Sequence, residues 1–511
     1  MQGLFDRYIK RILGARVYDV SQQTRLHQAH GLSRRLGNTV LLKREDEQPV
    51  FSFKCRGAFN HIYKLTRESA ATGGRISGVI AASAGNHAQG VALAAKALGL
   101  QSIIVMPATV PPIKSDAVRA LGSEAILHGD DFDAALEHAL ELSRQRNFPF
   151  IHPFDNPDTI AGQASVGIEI CQQHPGALHT VFIPIGGGGL AAGVSLYMKY
   201  LRPEVNIIGV EPVDAASMHD ALAADERVVL PQVGLFADGV AVKQVGKETF
   251  NVCRETLDGV ILVTVDEMSA AIKDIFNDTR TLTEPAGALA IAGMKKMVAE
   301  KNLKNETLVA ICSGANINFD RLRHVAERAE IGESREALLG VTIPEQPGSF
   351  RKFCESLGRR SITEFNYRYS TEGAAEVFVG VELAGGLPER EELLSSLAEQ
   401  GYTTVDMTDN EVAKLHIRHM IGGPCRAGAE RLFRFRFPER PGALLNFLNS
   451  MGSSWNITLF HYRSHGAAYG RVLVGMEIPE NEADGLGEFL EDLGYYYQEE
   501  TENPVYRQFL T

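Results

Sequence analysis

No stretch of about 18 apolar residues occurs anywhere in this chain of 511, which excludes a membrane-spanning helix. Cysteine is sparse as well: Cys55, Cys171, Cys253, Cys312, Cys354 and Cys425 lie far apart, with no close pair. Such spacing argues against a zinc cluster or a disulfide framework and fits a reducing compartment, so the expected address is the cytoplasm. A dense lysine and arginine stripe is missing too, and the net charge is −12, which gives a nucleic-acid role little support. What is left is ordinary for a soluble globular protein, with 44% hydrophobic and 22% charged residues. At this length one core does not suffice, and two or three domains are expected. Residues 1–16 are basic and amphipathic, with Arg7, Lys10, Arg11 and Arg16. Asp6 and the lack of serine there favour a first surface helix over a transit peptide.

Hydrophobic periodicity and turn signals predict strands at 39–43, 76–82, 102–106, 124–127, 180–185, 206–211 and 309–312. Helices are predicted at 58–69, 87–98, 112–121, 132–146 and 190–200. Repeated strand–helix–strand order means an α/β domain with a largely parallel sheet. Near residue 330 the texture changes. Ile343-Pro344-Glu345-Gln346-Pro347-Gly348 returns as Phe437-Pro438-Glu439-Arg440-Pro441-Gly442, with Pro347 and Pro441 94 residues apart. Ile362-Thr363-Glu364-Phe365-Asn366-Tyr367-Arg368 returns as Ile457-Thr458-Leu459-Phe460-His461-Tyr462-Arg463, 95 residues on. Each copy reads as strand, Pro-Gly turn, helix, strand, strand, helix, a ferredoxin-like α+β module. Two copies make a duplicated module, since a solenoid needs three or more. The expected division is 1–330, 331–420 and 421–511.

Four consecutive glycines, Gly186, Gly187, Gly188 and Gly189, follow a strand and open a helix. Bare backbone there lets N–H groups approach an anion, and the helix start adds favourable partial charge, so a phosphate is the expected ligand. A close helix–strand crossing explains one such glycine comfortably and four poorly. The run also satisfies the dinucleotide pattern Gly187-x-Gly189-x-x-Ala192, with Glu211 ending the next strand 22 residues after Gly189. A nicotinamide-dependent oxidoreductase is therefore an alternative. A second strand-to-helix turn, Ser83-Ala84-Gly85-Asn86-His87, offers N–H groups suited to a carboxylate, and Asn86 adds a neutral amide. The plainer reading makes Ser83 an N-cap and His87 a surface residue. Lys54, taken alone, is an ordinary solvated charge. With Phe51 and Phe53 as apolar anchors it becomes a candidate for partial burial, which lowers an amine's pKa and makes it a usable nucleophile or base. Two anion-ready helix starts and one such amine imply a ligand with a phosphate and one with a carboxylate. An amino acid held on pyridoxal phosphate matches both.

The motifs Ser52-Phe53-Lys54-x-Arg56-Gly57-Ala58, Ser83 to His87, the glycine run with Leu190, Glu284-Pro285-Ala286-Gly287 and Ser313-Gly314-Ala315-Asn316 follow one another in a recognisable order. Together they resemble the pyridoxal-phosphate enzymes of the tryptophan synthase β type (fold type II). The repeat after residue 330 resembles the paired ACT-like regulatory domains of the biosynthetic threonine dehydratases, so the resemblance covers essentially the whole chain. It implies that Lys54, beside Phe53, carries the cofactor as a Schiff base and serves as general base. It implies that Gly186, Gly187, Gly188, Gly189 and Leu190 hold the cofactor phosphate, Asn86 the ring hydroxyl and Ser313 the pyridine nitrogen. Ser83, Ala84, Gly85, Asn86 and His87 would clamp the substrate carboxylate. A serine hydroxyl need not keep the pyridine nitrogen protonated, and the weaker electron sink favours loss of a β-hydroxyl.

The same resemblance implies L-threonine, and L-serine, as substrates, with 2-oxobutanoate and ammonia formed from threonine. Isoleucine and valine would be opposing effectors, and the assembly a homotetramer. Phe365, Tyr367, Phe460 and Tyr462 occupy matching strand positions where alternate residues share a face, and they are expected to help line the effector sites. Three departures stand out. Racemases of this type carry a second serine where this chain has Ala84, so no proton is expected from the opposite face. Relatives with a cation site carry an acidic residue where this chain has Ser217, near Glu211, so no metal is expected. Thr24-Arg25-Leu26 lacks the proline usual in such enzymes. A non-catalytic amino-acid sensor built on the repeat is the third reading.

Overall fold

The strands of the first unit, Met1–Val325, separate into two sheets. In this computed structural model β1 (Leu26–Gln28) and β2 (Thr39–Arg44) come first, followed by β3 (Gly78–Ala82), β4 (Gln101–Met106) and β5 (Glu124–Leu127). β6 (Thr180–Pro184), β7 (Asn206–Pro212), β8 (Gly259–Val263) and β9 (Thr307–Cys312) complete the unit. β3, β4 and β5 form a parallel sheet of their own. The rest form a six-stranded sheet in the order β1-β2-β9-β6-β7-β8, antiparallel only between β1 and β2. The largely parallel arrangement expected from the sequence is thus split in two, because strand–helix alternation does not specify which strands pair.

Both faces of the larger sheet are buried, as a parallel sheet requires. Val181 and Ile183 of β6 and Val309 and Ile311 of β9 enter one apolar cluster. Phe182, Leu308, Ala310 and Cys312 point into the other, following the two-residue period of a strand. The helix Gln2–Leu13 buries Tyr8 and Ile12 in the first cluster, so it is more deeply packed than the surface helix expected. From β6 the chain proceeds through β7 to β8, whereas β9 flanks β6 on its other side. A crevice therefore opens beyond the carboxyl ends of β6 and β9, where the strand order reverses. The glycine run leaves β6 at that place, and Ser313 leaves β9.

The helix that carries Lys54 spans Lys54–Ala71, starting before the expected residue 58. Its first turn is fixed by Arg56, which is fully buried together with Lys43, Glu45 and Glu169. Arg56 Nε and Nη2 donate to Glu45 at 2.7 and 2.8 Å, and Nη1 and Nη2 donate to Glu169 at 2.6 and 3.0 Å. Lys43 Nζ adds a 2.6 Å contact to Glu169, and Thr24 Oγ1 donates to Glu45 at 2.6 Å. Burial opposes ionisation of Glu45, but the charge and hydrogen bonds of Arg56 outweigh it and hold the carboxyl below its ordinary range. The Arg56-Gly57-Ala58 segment, which reads as a turn in the sequence, is helical because these long-range ion pairs hold its first turn.

The structure describes residues 1–344, 349–358, 360, 362–368, 374–419, 430–438, 447, 450–451, 455–463, 469–479 and 483–510. The two Pro-Gly turns at 345–348 and 439–442 lie outside these. In the second unit, Ala326–Thr511, β10 (Glu336–Pro344), β11 (Ile362–Arg368), β12 (Ala374–Glu382) and β13 (Thr403–Asp406) form an antiparallel sheet in the order β11-β12-β10-β13. β14 (Glu430–Pro438), β15 (Asn456–Arg463), β16 (Tyr469–Glu477) and β17 (Tyr497–Glu499) repeat it as β15-β16-β14-β17. The short fourth strand of each copy was not apparent in the sequence pattern. Both copies carry a register shift at the same point, between Ile362 and Glu364 and between Ile457 and Leu459. Register places Phe365 opposite Val379 and Tyr367 opposite Val377, with Phe460 and Tyr462 opposite Val474 and Val472 in the second copy. The side chains of these four aromatics lie outside the described residues. Tyr506 and Phe509 of the helix Pro504–Phe509 join Leu338, Phe378 and Met407 of the first copy in one core with Leu432 and Leu473 of the second.

Replacing Arg56 by leucine strands two buried carboxylates and is expected to cost about 3–5 kcal/mol of stability. Chemical denaturation checks this, and an unshifted transition would contradict the role given to the ion cluster.

Candidate active site

The site is assembled by three chain segments that meet at Lys54. Residues just before it pair with residues just after β9: Ser52 bridges Gly314, Phe53 N–H donates to Ser313 O at 3.3 Å, and Ala315 N–H donates to Phe51 O at 2.9 Å. Ser313 is thereby tied to the backbone that presents Lys54. Phe51 is not the apolar anchor expected; it is 55% exposed, with φ +55°, and contributes only its backbone. Phe53 packs against the first apolar cluster, with Lys54 Nζ 5.3 Å from its ring centre.

Lys54 Nζ donates to Pro153 O at 3.2 Å. Burial pushes this amine down to about 8, while the nearby Glu284 carboxyl works in the opposite direction. The unprotonated share is therefore far greater than in an ordinary lysine, reaching about half near pH 8, as a base or nucleophile requires.

The turn at 83–87 opens the helix Asn86–Leu98, with Gly85 as its N-cap. Ser83 Oγ accepts from Gly85 N–H at 3.2 Å, so Ser83 shapes the turn without capping the helix. His87 is buried, with Nε2 2.9 Å from Ile151 O, and is not the surface residue of the plainer reading. Burial, and then the charge of Lys54, push it down to about 3, so it is neutral and Nε2–H is the donor. The Asn86 amide is held at both ends: Nδ2 donates to Glu284 Oε1 at 2.6 Å, and Oδ1 accepts from Asn316 Nδ2 at 2.5 Å. Glu284 is 4% exposed; burial, and then the charge of Asp238, push its carboxyl up to about 7.

At the glycine run the packing explanation proves stronger than the sequence suggests. Gly188, the N-cap of the helix Gly189–Leu201, has φ +93°, a conformation that other residues rarely adopt. A Cβ on Gly187 would collide with the ring of Phe154, and one on Gly186 would lie 2.9 Å from Val240 Cα. The run is thus demanded by close packing as well as by any anion. Thr249 Oγ1 donates to Gly187 O at 2.6 Å, and Asp155 accepts from the N–H groups of Glu248 and Lys247 at 2.8 and 2.9 Å. Leu190 is buried in the apolar cluster, leaving its backbone to the helix start.

Sequence reasoning missed the segment from His152 to Asp155, which supplies the carbonyl facing Lys54 and the ring under the glycines. Its signal was present in the density of Pro, Phe, Asp and Asn between the helices Phe132–Arg146 and Pro157–Gln163. It also left Glu284 and Asn316 without the contacts to Asn86 that the structure gives them. Glu211, the candidate ribose acceptor of a dinucleotide site, is fully buried and accepts from Met218 and His219 N–H groups at 2.8 Å each. It is not available to a ribose. Burial pushes its carboxyl up to about 8. Among the described residues no group of three or more His, Cys, Asp or Glu side chains could hold a metal ion. No helix among them is long and apolar enough to cross a membrane.

Residues 17–314 match the profile of the pyridoxal-phosphate dependent enzymes, and residues 327–417 and 422–510 each match the C-terminal regulatory domain of threonine dehydratase. The chain belongs to the threonine dehydratase family of pyridoxal-phosphate dependent enzymes. It is 52% identical over 508 residues to the biosynthetic L-threonine dehydratase of Burkholderia multivorans, covering 99% of both chains. With that of Escherichia coli it shares 53% over 504 residues, 98% of this chain and 97% of the relative. Among solved structures it is similar to the processed form of threonine deaminase isoform 2 from Solanum lycopersicum. That match has a TM-score of 0.62 and 49% identity, covering 65% of this chain and 90% of the other. Maize serine racemase matches with a TM-score of 0.58 and 29% identity, covering 62% of this chain and 96% of that one.

The enzyme's own groups fit the cofactor of the family. First-turn N–H groups of the Gly189–Leu201 helix have no intrahelical acceptor and suit phosphate oxygens. Asn86 spends one amide hydrogen on Glu284 and keeps a second for a ring hydroxyl. Ser313 Oγ donates to Ala286 O only at 3.3 Å, long for a hydroxyl bond, so it is free to turn to a ring nitrogen.

In the cofactor-free enzyme, Lys54 should react with an amine-directed acylating reagent with a midpoint near pH 8. Ordinary lysines titrate about two units higher. Peptide mass spectrometry across a pH series reads this, and a midpoint near 10.5 would contradict the desolvation of the amine.

Proposed function

We propose that this enzyme converts L-threonine to 2-oxobutanoate and ammonia, the first step of isoleucine biosynthesis, with Lys54 as the cofactor's anchor and the general base. The observations that carry the assignment of roles link each group to one desolvated amine: Lys54 Nζ sits on Pro153 O beside the Phe154 ring under the glycines, Glu284 acts on both Lys54 and Asn86, and the Ser313 carbonyl accepts from Phe53 N–H. The phosphate belongs on Gly186, Gly187, Gly188, Gly189 and Leu190, and the ring between Asn86 and Ser313. When bound, pyridoxal phosphate supplies a delocalising ring that accepts the electron pair left behind by the departing Cα proton.

Each side chain then has a defined task. The turn from Ser83 to His87 holds the substrate carboxylate at the start of the Asn86–Leu98 helix, where backbone N–H groups favour negative charge. Neutral His87 adds no competing charge there. With the cofactor bound, Lys54 would be the base placed to take the Cα proton, its amine held partly unprotonated by burial. Ala84 has no proton to deliver to the opposite face, so racemisation is absent and Lys54 works alone. Glu284 orients Asn86 through its 2.6 Å bond and partly balances the lysine charge.

The regulatory repeat, which we assign to 331–420 and 421–511 after a catalytic part of 1–330, binds isoleucine and valine in opposition. Its effector sites involve the aligned positions Phe365, Tyr367, Phe460 and Tyr462. L-serine is a second substrate, the assembly is a homotetramer, and the place of work is the cytoplasm. The free, well-separated Cys55, Cys171, Cys253 and Cys312 support a reducing compartment.

Two experiments test this reading. Lys54→Ala should lose visible absorbance and at least about a thousandfold in threonine turnover, since both anchor and base are gone. Wild-type activity in that variant would end the assignment. A chain ending at residue 330 should retain turnover and lose isoleucine inhibition, and inhibition that persists would place the effector site in the catalytic part.

A further inference from the structure

The segment 236–240 touches both helix starts of the site. Val240 crowds Gly186 at the glycine run, and a Cβ on Gly239 would lie 3.6 Å from Glu284 Oε1 and 3.8 Å from Asn86 Nδ2. Phe236, Ala237 and Val240 root the segment in the core of the six-stranded sheet. Asp238, between them, turns the other way and is held by two cations. Lys114 Nζ lies 2.6 Å from Oδ2, and Arg321 Nη1 lies 3.3 Å from Oδ1. Arg321 also donates to Phe236 O at 3.1 Å and Leu235 O at 3.3 Å, so on that side the strap is fastened by one side chain. Lys114 is on the helix Pro112–Ala120, between β4 and β5 of the small sheet. The Lys114–Asp238 pair therefore ties the small sheet's layer to a segment of the large sheet's layer that lies against both anion-ready ends.

We propose that Lys114 is a positioning residue for the reaction, holding the 236–240 strap against the glycine run and Asn86 through Asp238. An ion pair as exposed as this one, with side-chain exposures of 22% and 33%, contributes little to overall stability. Its consequence falls on the geometry between the two layers, where a small displacement is costly to substrate binding. The electrostatics agree with that geometry. After burial, the charge of Asp238 is the largest influence raising Glu284, and Lys114 and Arg321 oppose it, so the triad's charge reaches the carboxyl that orients Asn86.

The proposal rests on threonine being the substrate, and the test uses the full-length holoenzyme. Lys114→Met should raise KM for threonine about fivefold and lower kcat by less than about twofold. Visible absorbance and thermal midpoint should stay as in the wild type. Lys114→Arg should restore KM, and Lys114→Met should have no further effect in an Asp238→Asn background. A wild-type KM in Lys114→Met, an equal KM rise in the Asp238→Asn background, or a rise accompanied by loss of the visible absorbance would overturn it. If the wild-type chain fails to turn over threonine, the substrate reading fails and this proposal falls with it. Wild-type turnover with an unmoved Lys114→Met overturns the proposal alone.

Discussion

Everything at the site depends on a buried arginine. Arg56 is two residues beyond Lys54, fully enclosed, and bound on both sides by carboxylates that come from opposite parts of the unit. Glu45 follows β2, and Glu169 is on the helix Ser165–Gln173 before β6. Such a group cannot be half-satisfied, because a lone charge in that place would cost several kcal/mol. Its pairing therefore fixes the first turn of the Lys54 helix in both direction and depth. The amine of Lys54 then has to project where β6 and β9 diverge. A partly desolvated lysine is the result of that placement more than of its immediate neighbours.

Around the amine, the same residues serve packing and chemistry together. Gly187 admits the Phe154 ring, and Gly188 turns the chain into its helix, so the loop's shape is set before any anion arrives. Asn86 is oriented by Glu284 and Asn316 and yet retains a donor. Neutral His87 is locked to Ile151 and leaves the turn's backbone to act. Pre-organisation of this kind spares the enzyme from rearranging polar groups during the reaction. The antiparallel repeat of the second unit is a separate construction. Its duplication shows in the backbone itself, in register shifts at equivalent threonines, Thr363 and Thr458.

Much of this was legible in the sequence. The strands and helices that apolar periodicity marks in the first unit lie within a few residues of those observed, and β5 and the helix Phe132–Arg146 agree at both ends, whereas β8 and the helices Pro157–Gln163, Ser165–Gln173, Ser217–Ala224, Lys247–Thr256, Val265–Thr279 and Pro285–Lys301 were not read. The helix start at Lys54 was misplaced because local propensity favours a turn at Arg-Gly, while long-range ion pairs decide otherwise. The split into two sheets was hidden for a similar reason, since pairing depends on which faces are apolar in three dimensions. Lys54, Asn86 and the glycines stand out in the sequence through motifs with a physical purpose, and Ser313 through the family resemblance. Pro153, Glu284 and Asn316 were not assigned their contacts, as each acts through a carbonyl, a carboxyl or an amide whose partner is distant in the chain. Phe51 misled because an aromatic beside a candidate lysine reads as an anchor, whereas its positive φ turns the ring outward.

The central claim is that one particular amine, set in place by Arg56, carries the cofactor. Borohydride reduction of the holoenzyme followed by peptide mass mapping tests it most directly. The account predicts a single pyridoxyl group on Lys54. A pyridoxyl group on any other lysine would contradict it.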